Sequence, residues 1–433
     1  MLIQTKVWLF VIDSNIFILN IPPTMKFGIY IHIPYCIQRC TYCDFATYEQ
    51  SSILPPTEYI NHLLTEIRFF APLFIDRKID TVYFGGGTPS LIPPQLLKLI
   101  LDEFKILGFT FSTNLEVTIE INPATVSESN LQQYLKMGIN RFSVGAQTFK
   151  DSHLKNIGRE HNADDTIETL SLLAKYKLNF SFDILFALPR QTKEELQLDL
   201  SRVLEFNPHH VSPYCLTVPQ SNPLAKNRAT DEKQAEMFEL IRDFLIQNNF
   251  HQYEISNFAK PGFESGHNLL YWQDQPYWGL GLSSHSYENY FSSSSLKSSK
   301  KNWGVRYWNY KSINQYTNWC NSLSSKPNPL SKIDAREEST YEILEMHQSL
   351  TDYCHTFLRT SSGINPKKLE QKFGKKISDH IAKLIEPLIL KGWIFRNKTF
   401  LSQDFNWSLT DEGVVLSNQV FAELTFLKED LAY

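Results

Sequence analysis

Short runs of β-branched and aromatic residues alternate with stretches of helical periodicity between residues 25 and 250. In these stretches apolar residues recur every three or four positions, as at Ile60, Leu63, Leu64 and Ile67, which predicts helices between the runs. Six alternating β–α units favour a parallel sheet, and six is fewer than the eight of a closed barrel. We therefore predict an α/β fold with a partial (β/α)6 barrel, whose chemistry lies at the carboxyl ends of the strands. The predicted strands are 28–33, 80–84, 115–121, 141–145, 180–186 and 210–218.

Residues 1–24, which precede this region, do not show the alternation. Residues 1–24 contain two apolar runs separated by Asp13, Ser14 and Asn15, and neither run reaches the roughly 20 residues that a membrane-spanning helix needs. We interpret these residues as an N-terminal extension and Met25 as the functional start, which gives the barrel the bounds 25–250.

The second half of the chain divides into two further parts. Residues 251–332 are rich in aromatic side chains but show little periodicity, and we assign them to a connecting region. Residues 333–433 are mainly helical in pattern and include a hairpin-like segment at 393–395 and 399–401. Helices followed by a two-stranded wing predict a mainly helical, winged-helix-like C-terminal domain.

Composition narrows the function classes. Lys and Arg number 42 against 46 Asp and Glu, and the net charge of -4 does not indicate a nucleic acid as the main partner. The six Cys are too sparse for a disulfide framework, yet three of them fall within eight residues. That clustering indicates a metal site in a reducing compartment, and we expect a cytoplasmic protein.

The three clustered thiols, Cys36, Cys40 and Cys43, follow the first predicted strand. Cys thiolates, usually four of them, hold iron–sulfur clusters, so three thiols can ligate three corners of a cubane and leave one iron open. Tetrahedral zinc is the alternative, but no fourth ligand lies nearby in the sequence. The pattern therefore favours an iron–sulfur cluster with an open iron.

Glycines and polar residues fall at the ends of the later strands. Gly85, Gly86 and Gly87 follow the second strand, and they would allow a ligand to approach the main chain closely. A phosphate loop is the alternative, but its Gly-Lys-Ser/Thr ending is absent. Four further polar residues, for which a cap, a surface ion pair or an internal hydrogen bond is the alternative, are Glu120, Gln147, Arg159 and Asp183.

The spacing of Cys36, Cys40 and Cys43, with Tyr42 before the third thiol, resembles the cluster motif of the radical S-adenosylmethionine (SAM) superfamily. The resemblance covers nearly the whole chain after Met25. It implies a 4Fe–4S cluster on the three thiols and SAM on the open iron. The residues that it assigns to SAM are Tyr30, Tyr42, Gly86, Gly87, Thr88, Glu120, Gln147, Arg159 and Asp183.

Within this superfamily the chain resembles the HemN-like branch, which contains the oxygen-independent coproporphyrinogen III dehydrogenases and the heme chaperones of the HemW type. The dehydrogenases have an additional Cys two residues after the third thiol, where this chain has Phe45. The chaperones have a His-Asn-x-x-Tyr-Trp motif, which residues 267–272 match, and the resemblance implies that His267 ligates heme. A histidine beside a tryptophan is also commonly structural. His285 is a candidate second heme ligand or a hydrogen-bond donor beside the cluster.

The resemblance thus implies a heme chaperone that delivers heme to respiratory heme proteins, including membrane-bound ones, and we assign no catalytic residue. Two alternatives stay open: radical decarboxylation of coproporphyrinogen III in porphyrin biosynthesis, and a radical SAM enzyme for another substrate. We expect no nucleic acid partner, and the sequence leaves open whether the protein forms a homodimer. One departure from the family is Ala187 at a glycine position, which is strained if its φ is positive.

Overall fold

The computed structural model describes residues 25–289, 303–329, 331, 333, 336–398 and 405–431. The predicted N-terminal extension at 1–24 and the predicted hairpin strand at 399–401 lie outside these residues. Within the described ranges, no helix combines the length and the apolar character needed to cross a membrane.

Six parallel strands, neighbours in chain order, form the middle of a twelve-stranded sheet. This arrangement confirms the α/β fold with a parallel sheet. The first and fifth strands have the predicted bounds, and the other four differ from prediction by a few residues at one or both ends. The six strands are β1 (Gly28–Ile33), β2 (Lys78–Gly86), β3 (Thr110–Ile121), β4 (Arg141–Gln147), β5 (Phe180–Phe186) and β6 (His210–Cys215).

Helices lie between and after these strands, and most of them bury an apolar face in one core with the sheet. They are α1 (Pro56–Phe70), α2 (Pro94–Ile106), α3 (Glu128–Met137), α4 (Asp151–Asn156), α5 (Ala163–Lys175), α6 (Lys193–Leu204), α7 (Asp231–Gln247), α8 (Gly266–Trp272) and α9 (Ile313–Leu323). Local sequence fixes several of the helix starts. In α6, for example, Thr192 and Glu195 form a capping box that satisfies backbone N–H groups of the first turn.

The segment predicted to be a connecting region extends the sheet at both edges. Its strands are β7 (His251–Glu254), β8 (Asn257–Ala259), β9 (Tyr277–Leu280), β10 (His285–Asn289) and β11 (Gly304–Trp308), and β12 (Tyr341–Ile343) follows. Strand β9 pairs in parallel with β1, whereas β8 pairs antiparallel with β6. The sequence did not predict these strands because runs of three to five residues are too short to show a clear alternation.

The C-terminal part has its own apolar core, to which Trp303 and Leu344 also contribute. Its elements are α10 (Met346–Arg359), α11 (Pro366–Phe373), α12 (Lys375–Leu390), β13 (Ile394–Lys398), β14 (Phe405–Leu409), α13 (Asp411–Val415) and α14 (Ser417–Glu423). Strands β13 and β14 pair as an antiparallel hairpin after three helices, as the winged-helix pattern predicts. Among the described residues, the second strand of this hairpin spans Phe405–Leu409.

Candidate functional site

A cavity of about 430 Å³ opens at the carboxyl ends of β1 to β6, where the loop after β1 meets the ends of the other strands. Ligands of parallel α/β folds bind at this end of the sheet. Most of the predicted cluster and SAM residues contribute to its lining. They are Cys36, Cys40, Tyr42, Cys43, Gly86, Gly87, Thr88, Glu120, Gln147, Arg159 and Asp183.

The cysteine loop (residues 34–47) brings the thiols of Cys36, Cys40 and Cys43 to this cavity. All three are half-buried and free of disulfides. The Thr88 hydroxyl donates to Cys36 Sγ at 3.8 Å, and Arg159 Nη1 donates to Cys40 Sγ at 3.6 Å. Burial raises the pKa of the Cys36 thiol, and the bond from Thr88 opposes that rise. Donors directed at the sulfur atoms favour their thiolate form, which is the form that binds iron.

This set of donors fits a 4Fe–4S cluster. No three His, Cys, Asp or Glu side chains in the described part of the chain are placed to hold a single metal ion. The thiolates of a cubane do not converge in that way, because each binds a different iron atom. A further cysteine, Cys215, lines the cavity at the end of β6, where its thiol donates to Gln234 Oε1.

The glycine loop (residues 85–88) packs against the start of the cysteine loop. Gly86 has a φ of +108°, and a Cβ at this position would lie 2.4 Å from the His32 ring. A Cβ on Gly87 would lie 2.6 Å from the carbonyl oxygen of Tyr35. The Thr88 amide donates to that same oxygen at 2.7 Å. Glycine is required at position 87 because the two loops touch there through their main chains, and at position 86 because φ is positive and the His32 ring leaves no room for a Cβ.

Glu120, at the end of β3, is a half-buried acid beside the glycine loop. Its carboxylate accepts from the Tyr83 hydroxyl at 2.8 Å and from the Gly86 amide at 3.0 Å. Burial raises the pKa of Glu120 to about 7, and the nearby charge of Asp183 adds to the rise. The group therefore changes its charge near neutral pH.

Asp183 lies on the neighbouring wall of the cavity, in β5. Its carboxylate accepts from the Ser143 hydroxyl at 3.0 Å and from the Ser181 hydroxyl at 3.1 Å, and burial raises its pKa. Ser143, Ser181 and Ser212 also line the cavity, and the sequence analysis missed them. The available signal was a serine in each of three adjacent, mainly apolar strands.

Arg159 and Gln147 meet at the end of β4. Arg159 Nη2 donates to the carbonyl oxygen of Gly145 and, at 3.4 Å, to Asn122 Oδ1. A Cβ on Gly145 would lie 3.2 Å from Gln147 Nε2 and 3.5 Å from Arg159 Nη2. The absence of a side chain at Gly145 thus makes room for both polar groups beside the cavity.

Tyr30 differs from the other predicted SAM residues because it does not line the cavity. Its hydroxyl lies 3.1 Å from Nδ1 of His32, and its ring stacks on that of Tyr83 at 6.1 Å. Tyr83 in turn lines the cavity and bonds Glu120. Tyr30 therefore lies behind the cavity wall, and a contact with SAM stays a prediction.

His267 lies in the core and is 1% exposed. Its Nδ1 is 2.7 Å from the Thr81 hydroxyl and its Nε2 is 2.7 Å from the Tyr271 hydroxyl, while its ring stacks on Tyr83 at 5.0 Å. Burial lowers the pKa of His267 to about 3. One of the two hydrogen bonds must break before either nitrogen can bind a heme iron. Heme ligation by His267 stays a prediction, and this conformation does not favour it.

Ala187, at the family's glycine position, has a φ of +59° and is fully buried. The methyl group is therefore held in the left-handed region that glycine favours. Such a conformation costs an alanine roughly 1–2 kcal/mol. The departure noted in the sequence is thus a strained one, just after β5.

The sequence is similar to a known superfamily and to several of its characterised proteins. The model of the radical SAM superfamily matches residues 30–203. The heme chaperone HemW of Bacillus subtilis is 32% identical over 400 residues, which cover 90% of this chain and 97% of that protein. The heme chaperone HemW of Buchnera aphidicola from Schizaphis graminum is 38% identical over 269 residues, which cover 61% of this chain and 70% of that protein.

A solved structure matches nearly the whole fold. It is that of coproporphyrinogen III oxidase (HemN) from Escherichia coli, a radical SAM enzyme, with a TM-score of 0.74 and 19% identity. The match covers 94% of this chain and 92% of that chain. At this identity the similarity concerns the fold.

Proposed function

The chain belongs to the radical SAM superfamily, in the HemN-like group close to the heme chaperones HemW, and from that membership we propose that it is itself a heme chaperone. In this proposal it holds a 4Fe–4S cluster, SAM and heme, and delivers heme to respiratory heme proteins, including membrane-bound ones, from the cytoplasm. The observation that carries the cofactor part is the convergence of the predicted cluster and SAM residues on one cavity.

Cys36, Cys40 and Cys43 would hold the cluster, with Thr88 and Arg159 donating hydrogen bonds to two of the sulfur atoms. When bound and reduced, such a cluster would supply the electron for reductive cleavage of SAM to methionine and a 5′-deoxyadenosyl radical. Glu120 and Asp183 give the cavity two acids against the positive charges of SAM, and the glycine loop exposes main-chain groups to it.

Phe45 favours the chaperone over the dehydrogenase. The dehydrogenases that the chain resembles have a cysteine at this position, whereas here an exposed phenyl ring lies at the mouth of the cavity. The identity of 32% and 38% to two proteins named heme chaperone HemW, over 97% and 70% of their length respectively, supports the same choice.

The test is a hemin titration of the full-length chain after anaerobic reconstitution of its cluster, followed at the Soret band. We expect saturable binding with about one heme per chain. In parallel, the reconstituted protein is incubated with coproporphyrinogen III, SAM and a reductant. We expect no protoporphyrinogen IX. Formation of protoporphyrinogen IX without heme binding would establish the dehydrogenase instead. If the protein shows neither heme binding nor this reaction, the remaining alternative is a radical SAM enzyme with another substrate.

A further inference from the structure

A second pocket, the outer pocket, shares a wall with the SAM cavity. It is defined by Arg39, Phe45, Tyr48, His285 and Lys311 and has a volume of about 580 Å³. Small-molecule sites typically have about 300–1,000 Å³. The last residues of the cysteine loop, from Asp44 to Thr47, separate the two spaces, and three of them line both. A molecule in the outer pocket would therefore lie directly beside the cluster loop.

His285 presents an available imidazole to the outer pocket. It is the first residue of β10, where it pairs with Trp308 of β11, and its exposed ring stacks on the Trp308 ring at 5.7 Å. Among the residues that the structure describes, no hydrogen-bond partner occupies its ring nitrogens. Partial burial, with the charges of Lys311 and Arg306, lowers the pKa of His285. The ring is therefore neutral near pH 7, and the neutral ring is the form that binds metals.

Phe45 gives the outer pocket an apolar face. Its side chain is 65% exposed, although it lies in a loop that packs against the core on its other side. A single exposed phenylalanine needs no special explanation. This one, however, lines the same pocket as an available imidazole. An axial nitrogen and a flat apolar wall are the two features that a heme iron and its macrocycle require.

Charged groups complete the pocket. Arg39 and Lys311 are exposed cations, and Asp44 and Glu49 are acids that line the same space. Arg39 is held toward the loop because its Nη2 donates to the carbonyl oxygen of Cys43 at 3.0 Å. The two cations offer partners for two carboxylates on one ligand, as the propionates of heme would require.

We propose that the outer pocket binds heme, with a ring nitrogen of His285 as axial ligand of the iron, Phe45 against the macrocycle, and Arg39 and Lys311 facing the propionates. This inference rests on the proposed function and assigns the heme ligand to an accessible histidine instead of the buried His267. The open face of the pocket lets an acceptor protein reach the heme, while SAM lies on the opposite side of the cysteine loop.

The experiment is a hemin titration of the reconstituted full-length chain, read at the Soret band, for the wild type and three variants. His285→Ala removes the proposed ligand. His267→Gln removes the buried imidazole but keeps a donor and an acceptor for Thr81 and Tyr271. His347→Ala, in the C-terminal part, controls for the loss of a partly exposed histidine. Far-ultraviolet circular dichroism and the cluster absorbance verify that each variant is folded and loaded.

We expect His285→Ala to weaken heme binding by about tenfold or more and to shift the Soret band, because a coordinate bond is lost. Added imidazole should restore the wild-type spectrum in this variant, whereas His347→Ala and His267→Gln should bind as the wild type does. Wild-type binding that His285→Ala leaves unchanged would overturn the assignment but keep the chaperone. Loss in His267→Gln alone would place the ligand in the α8 motif instead. A wild type that binds no heme would overturn the proposed function itself.

Discussion

At the scale of single residues, the protonation of the Glu120 carboxyl group depends on whether a cation is bound in the cavity. Its pKa of about 7 lies well above the value of about 4.3 that a glutamate has in an unfolded chain. The folded protein therefore binds more protons than the unfolded chain between these two pH values. The contribution of Glu120 to the free energy of unfolding is therefore greatest below about pH 4.3, and it falls as the pH rises to 7. A bound cation such as SAM would offset that loss by favouring the carboxylate.

We expect the affinity for SAM to rise with pH up to about 7 and then to level off. Below this pH, Glu120 must lose its proton before a carboxylate can face the ligand, and that step costs up to about tenfold in affinity per pH unit. Equilibrium dialysis of SAM against the reconstituted protein between pH 6 and 8 measures the effect. Glu120→Gln, which cannot ionise, should bind weakly with a much flatter profile. Equal slopes in both proteins would show that another group controls the dependence.

His267 shows where prediction from sequence stops at the scale of a residue. The motif of residues 267–272 is visible in the sequence, but its hydrogen-bond partner Thr81 is 186 positions away. Nothing local distinguishes an imidazole that faces a ligand from one that is buried between two strands. The position of the three thiols at the cavity was easier to predict, because all three lie in one loop directly after a strand whose end faces the cavity.

At the scale of elements, the glycine loop joins β2 to the cysteine loop through main-chain contacts, and two glycines allow a controlled test of that role. Gly86 and Gly108 both have positive φ, +108° and +89° respectively. A Cβ on Gly86 would strike the His32 ring, whereas a Cβ on Gly108 would meet nothing within 4 Å. Backbone strain is thus shared by the two sites, and the steric clash is specific to Gly86.

We expect Gly86→Ala to weaken SAM binding by about tenfold or more, because His32 or the loop must move away from the cavity. Gly108→Ala should leave SAM binding unchanged and lower the free energy of unfolding by only about 1–2 kcal/mol. Equilibrium dialysis and thermal denaturation of both variants separate the two effects. Equal losses of SAM affinity would mean that strain alone, transmitted through the fold, controls the site.

The bounds of strands were predicted correctly where a run of apolar residues is long enough to be recognised. Strands 28–33 and 180–186 were predicted at their observed bounds because long apolar runs are bordered by polar or helical segments. Strands β9 to β11 were missed because their pairing depends on contacts with β1 and with each other, and a strand of four or five residues contains too few alternations. The outer pocket could not be predicted for the same reason, because His285 and Trp308 come together only through the pairing of β10 with β11.

At the scale of the whole molecule, helix α8 connects the sheet with the C-terminal part. Its first amides donate to the carboxylate of Glu116 in β3 at 2.9 Å. Its last residue, Trp272, lies under the guanidinium of Arg359, which is 4.4 Å from the ring centroid. Arg359 ends α10 and forms an ion pair with the buried Glu254 of β7 at 2.6 Å. The motif that the sequence suggested for heme therefore also joins two parts of the fold.

Removal of Arg359 tests how strongly the C-terminal part depends on this junction. Glu254 is buried, and burial raises the pKa of its carboxyl group against the opposing charge of Arg359. We expect Arg359→Met to lower the free energy of unfolding by about 3–5 kcal/mol, because it leaves a buried charge without its partner. The double variant Glu254→Gln with Arg359→Met should recover part of that loss. Urea denaturation followed by tryptophan fluorescence measures both.

The exposed ion pair between Lys375 and Asp379 in α12 is the matched control. Its loss in Lys375→Met should leave the urea midpoint nearly unchanged, because water and salt screen surface pairs. If the urea midpoint of Arg359→Met is also nearly that of the wild type, apolar packing of the C-terminal core, and not the buried ion pair, holds the two parts together. If instead the absorbance of the reconstituted cluster is lost together with the fluorescence signal, the junction at α8 transmits unfolding of the C-terminal part to the cavity at the ends of β1 to β6.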